Sequence, residues 1–112
     1  DIINEFGGKM PQTYGVPVEE IQEGIKYGVR KVNVDTDLRM AMTGAIRRVF
    51  ATKPEEFDPR KYLKPAMDAM QAVCEQRYEE FGAAGHASAI KAIPLSEMAK
   101  RYASGELDPQ IK

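Results

Sequence analysis

A single run with strand character, residues 29–35, sits in a chain whose other segments repeat at helical spacing. Val29, Val32 and Val34 favour extended backbone, and Lys31, Asn33 and Asp35 place a row of polar groups on the opposite face. A strand cannot satisfy its own backbone, so a lone one must pair with neighbours supplied from elsewhere. This requirement limits the possible folds more than any other feature of the chain.

The segments around the run read as helices. "DIINEFGG" looks like the end of a short helix closed by Gly7 and Gly8, followed by a loop with Pro11, Gly15 and Pro17. Val18, Ile21 and Ile25 fall on one side of the next helix, with Glu19 and Glu20 in its first turn and Gly28 as its stop. After the valine run, Leu38, Met42, Ala45, Ile46, Val49 and Phe50 form a buried stripe that ends before Pro54. Asp58 and Pro59 are a good N-cap and first helical residue for a long helix. Its stripe is Leu63, Ala66, Met67, Met70, Val73, Cys74, Tyr78 and Phe81, its stop is Gly82, and Pro65 should kink it. A last amphipathic helix carries Leu95, Met98, Ala99 and Tyr102 on one face and stops at Gly105.

A chain of 112 residues with 43% hydrophobic and 29% charged residues is expected to build one small packed domain. Its net charge of −1 offers no general attraction to nucleic acid or to an anionic membrane. No apolar run spans a bilayer and no signal peptide opens the chain, so a soluble, cytoplasmic protein is expected. Cys74 is the only cysteine and His86 the only histidine, too few soft ligands for a metal site built here alone. The chain begins without an initiator Met and inside a helix pattern, as a piece of something longer would.

Helix, strand and helix in succession, followed by further helices, predict an α/β fold class: the last strand and helices of a TIM (β/α)8 barrel with a helical C-terminal extension. Residues 1–112 are then the C-terminal portion of a single barrel domain, 1–52 being the last βα repeat region and 53–112 the extension. Val32 and Val34 would face the outer helices, while Lys31, Asn33 and Asp35 point inward. Asp35 and Thr36 would lie at the strand's carboxyl end, where barrel enzymes hold their active sites. Taken alone, "NVDTD" reads more simply as a strand edge followed by an Asp or Thr N-cap.

"GVPVEEIQEGIKYGVRKVNVDTDLRMAMTGAIRRVF", "FDPRKYLKPAMDAM" and "FGAAGHAS" resemble the C-terminal third of class II, zinc-dependent fructose-1,6-bisphosphate aldolases, most specifically in "KVNVDTD" and "DPR". The resemblance implies reversible cleavage of fructose 1,6-bisphosphate to dihydroxyacetone phosphate and glyceraldehyde 3-phosphate, in glycolysis, gluconeogenesis or the Calvin cycle. Tagatose-bisphosphate aldolases of the same class usually carry Ala and Glu where this chain has Asp35 and Asp37, which favours the fructose reading. A tagatose- or sedoheptulose-bisphosphate aldolase of the same class, or a non-enzymatic helical interaction module, are the alternatives.

The same resemblance assigns roles residue by residue. Zn2+ acts as Lewis acid on the ketose carbonyl, with its ligands and the acid–base carboxylate upstream, so no catalytic or metal-binding residue is expected in this segment. Asn33 matches an Asn that hydrogen-bonds the ketose phosphate, Asp35 a carboxylate that accepts from substrate hydroxyls, and Thr36 a hydroxyl contact to phosphate. Arg60, the Arg of "DPR", matches one that crosses a homodimer or homotetramer interface to the 6-phosphate in the neighbouring site, and Arg39 is a candidate for the same phosphate. The sugar bisphosphate is the only small-molecule partner expected. Asp37 is read as a helix cap, Arg47 and Arg48 as a solvated face, the Met residues as core, Cys74 as a buried structural thiol and His86 as a surface or loop residue.

Overall fold

The structure, a computed structural model, describes residues 2–110; Asp1, which opens the first expected helix, lies outside them. In chain order the elements are α1 (Ile2–Glu5), α2 (Val18–Lys26), α3 (Thr36–Thr52), α4 (Pro59–Glu80), a 3-10 turn at Ala87–Ala89, and α5 (Leu95–Ala103). No strand occurs among the described residues, which overturns the expected α/β class and its barrel strand: the observed architecture is all helical. Residues 29–35 have no regular structure, and the N–H and C=O groups of residues 30–34 make no backbone hydrogen bond. Valine preference cannot make a strand without a neighbouring strand to bond, and every regular element here is a helix that uses its backbone groups internally. The alternation nevertheless survives. Lys31, Asn33 and Asp35 are exposed, whereas Val32 and Val34 are half-buried.

Both ends of this segment are fixed by local chemistry. At the end of α2, Gly28 takes φ +112°, Val29 N–H donates to Gly24 O (3.1 Å) and Gly28 N–H to Ile25 O (3.3 Å). That pair of bonds is the Schellman closure, which requires a left-handed residue and so favours glycine. The end of α4 repeats it: Gly82 has φ +69°, with Ala83 N–H donating to Tyr78 O (2.8 Å) and Gly82 N–H to Glu79 O (3.1 Å). At the other end of the valine run, α3 starts directly at Thr36.

The helices α3 and α4 pack antiparallel. Asp37 in the first turn of α3 meets Arg77 near the end of α4, while the Phe50 ring near the end of α3 lies 4.9 Å from the Tyr62 ring near the start of α4. The buried apolar side chains are Ala45 and Val49 of α3, Ala66 of α4 and Ile3 of α1. Small residues let the backbones approach. Gly44 is buried against α1, and a methyl group there would overlap Ile2 Cγ2.

The apolar stripe of α4 is only partly covered, because α3 is the one long helix against it. Met67 is 65% and Tyr78 60% exposed, contrary to their expected core positions, and Cys74 is half-buried, not buried. On α5, Leu95 is 86% exposed and Tyr102 also lies open. The helix α4 continues through Pro65 without a break. A radius of gyration of 19.9 Å, against about 13 Å for a compact chain of this length, expresses the same openness. No helix among the described residues is long and apolar enough to cross a membrane.

Candidate functional site

Asn33, Asp35 and Thr36 are brought together because α2 ends at Gly28 and α3 begins at Thr36, leaving a short irregular run between two helices. All three are exposed, and they share one cleft of about 530 Å³ with Gly15, Val16, Lys31 and Asp37. The Asn33 amide oxygen accepts from Lys31 Nζ. The Thr36 hydroxyl makes no hydrogen bond among the described residues, and it faces a second pocket shared with Lys9, Arg39 and Arg47.

The start of α3 is uncapped. Asp35 occupies the N-cap position with φ −125° and ψ −62°, yet its carboxylate makes no bond to the helix N–H groups. Arg39 holds it instead, Nε donating to Asp35 Oδ1 at 2.8 Å. The N–H groups of Thr36, Asp37 and Leu38 therefore have no acceptor among the described residues, at the positive end of a 17-residue helix. Such an end suits an anion. Arg39 and Asp35 are both well exposed, so their pair is weak and readily opened.

Asp37, expected to cap α3, sits inside its first turn. Its Oδ2 accepts from Arg77 Nη2 at 2.8 Å, and Arg77 Nη1 donates to Glu80. Asp37, with Glu80, raises the Arg77 pKa above its ordinary value, so the guanidinium remains charged. Arg77 escaped the sequence reading. It falls within the apolar stripe of α4, one turn from both Val73 and Phe81, but its partner Asp37 is 40 residues away, so no local spacing pairs the two.

Arg60 lies elsewhere. It is the second residue of α4, where its guanidinium forks onto Asp58, Nη2–Oδ2 being 2.7 Å and Nε–Oδ1 3.0 Å. Asp58 also accepts from the Arg60 N–H at 3.0 Å, which makes it the N-cap the sequence predicts. Those contacts with Arg60 hold the Asp58 carboxyl below the usual carboxylate range and raise the Arg60 pKa. Arg77, which touches the first turn of α3, is seventeen residues further along α4, about 25 Å away. The structure thus groups Asn33, Asp35, Thr36 and Arg39 and leaves Arg60 apart. His86 precedes the 3-10 turn and is exposed.

Residues 12–86 match the family described as fructose-bisphosphate aldolase class-II. This chain belongs to that family. It is 69% identical over 110 residues to "Fructose-bisphosphate aldolase 2" of Rhodobacter capsulatus, covering 98% of this chain and 96% of that one. It is 68% identical to the protein of the same name from Cereibacter sphaeroides and 66% identical to "Fructose-bisphosphate aldolase" of Pseudomonas aeruginosa, in each case over 98% of this chain. The chain spans 31% of the length of those two relatives. The matched region contains Asn33, Asp35, Thr36, Arg39, Arg60 and Arg77.

Proposed function

We propose that this chain supplies substrate-binding residues of an aldolase that reversibly cleaves fructose 1,6-bisphosphate to dihydroxyacetone phosphate and glyceraldehyde 3-phosphate. The observation that carries the reading is the exposed Asn33–Asp35–Thr36 run ending at the uncapped start of α3. A phosphate oxygen at that start would accept from the free N–H groups of Thr36, Asp37 and Leu38 and from the Thr36 hydroxyl. The Asn33 amide both donates and accepts, so it can bond a carbonyl oxygen and, as charge grows there, bond it more strongly. Asp35 accepts from sugar hydroxyls once Arg39 leaves it, and Arg39 is then free for phosphate oxygens.

The residues of this chain do not fit zinc. His86 and Cys74 lie on separate elements, and no three His, Cys, Asp or Glu residues converge among the described residues. In this reading the ion and the acid–base carboxylate belong to parts of a longer protein, of which residues 1–112 are the C-terminal portion. The packing of α3 on α4 supports treating residues 1–52 and 53–112 as parts of one unit. Arg60, separated from the cluster by the length of α4, serves a neighbouring subunit in a homodimer or homotetramer.

The test is a cleavage assay of the whole enzyme with fructose 1,6-, tagatose 1,6- and sedoheptulose 1,7-bisphosphate. The expected result is the highest kcat/KM on the fructose ester. A preference for either other sugar, or no cleavage of any, overturns the proposal.

A further inference from the structure

The run that carries Asn33 and Asp35 has no backbone hydrogen bonds of its own between residues 30 and 34, yet it must present its side chains in one arrangement. Its flanks are tied to a single place. From α2, Gln22 Nε2 donates to the backbone oxygen of Glu80 at 2.8 Å. From the first turn of α3, Asp37 accepts from Arg77, which also holds the Glu80 carboxylate. Gln76 Nε2 donates to the other Glu80 oxygen at 2.7 Å, fixing that carboxylate in turn. The last turn of α4, closed by the left-handed Gly82, therefore anchors both the element before the run and the element after it.

Arg77 is the centre of this anchor. Its side chain is only 21% exposed, and it lines the cleft of Asn33 and Asp35 as well as the apolar cleft of Val32, Val34 and Tyr78. A planar guanidinium that bridges two carboxylates, one nitrogen to each, fixes direction as well as distance, which a lysine cannot do. We infer that Arg77 is a positioning residue for substrate binding: through Asp37 it sets the first turn of α3, and with it Asp35 and Thr36. The inference rests on the proposed role of that run.

In the whole enzyme, Arg77→Met should lower kcat/KM for fructose 1,6-bisphosphate by about 10- to 100-fold, the effect of a small misplacement of binding groups. Arg77→Lys, which keeps the charge and can reach one carboxylate, should recover part of the loss. Asp37→Asn should lower kcat/KM as well, and adding it to Arg77→Met should cost little more, because the two act as one unit. Amide exchange of residues 39–41, the first hydrogen-bonded N–H groups of α3, should quicken in both variants while exchange in the middle of α3 stays as in the parent. Wild-type cleavage tests the functional reading by itself; the exchange comparison tests the anchor without relying on activity. If Arg77→Met lowers the melting temperature but keeps kcat/KM within about twofold, or if exchange at residues 39–41 is unchanged, the positioning role is wrong.

Discussion

At the scale of single residues, Asn33 is the sharpest case, because it is exposed and contributes no buried contact to the fold. Asn33→Ala in the whole enzyme should remove about 2 to 4 kcal/mol of transition-state stabilisation, comparable to losing one oxyanion-hole donor. Its melting temperature should match the parent. Steady-state kinetics beside a thermal melt check both halves, and near-normal turnover would remove Asn33 from the site. Asp58 gives a prediction on pH. Arg60 holds its carboxyl below the ordinary value near 3.9, so the folded state prefers the carboxylate more than the unfolded state does. That contribution is complete above about pH 4 and fades as pH falls through the lower folded value. Asn caps a helix as well as Asp but does not titrate. The melting-temperature gap between parent and Asp58→Asn, followed by circular dichroism, should therefore narrow on acidification below about pH 4.

At the scale of elements, glycines decide more than the apolar stripes do. Gly82 holds the left-handed position that ends α4, so Gly82→Ala should destabilise the whole enzyme by about 1 kcal/mol, read as a lower denaturant midpoint. Gly44→Ala meets Ile2 and should cost about 1 to 3 kcal/mol, with Ile2→Ala restoring part of it. Helix positions were legible in the sequence because stripes and stops are local signals: Gly28, Gly82 and the Asp58–Pro59 start fall where they are read. The valine run was legible in its alternation but not in its state, since pairing depends on a partner strand and not on the valines. Met67 and Tyr78 read as core because periodicity identifies an apolar face and says nothing of what covers it. Of the candidate site, Asn33, Asp35 and Thr36 stand together in seven consecutive letters, and the structure sets them along one cleft. The Asp37–Arg77 pair could not, because long-range ion pairs leave no spacing rule.

At the scale of the whole molecule, Arg60 and the Asn33 cluster lie too far apart within one chain for a single sugar bisphosphate. Arg60→Ala should leave the fold intact and raise KM for the bisphosphate, with a smaller effect on substrates lacking the 6-phosphate. Subunits carrying Arg60→Ala, mixed with subunits carrying Asn33→Ala, should regain activity, since each hybrid interface pairs one intact Asn33 with one intact Arg60. Absence of recovery in verified hybrids would place Arg60 outside any shared site. Residues 1–112 prepared alone should melt without a sharp transition, because the buried apolar side chains are few and the long stripes lie open. The unbonded run at residues 30–34 then acquires a practical meaning. Arg30 and Lys31 are exposed basic residues on a backbone that nothing holds, so trypsin should nick the isolated chain there first and release an N-terminal peptide ending at one of them. In the whole enzyme the same two bonds become a footprint: the degree to which they resist the protease measures how firmly the rest of the protein has taken hold of that backbone.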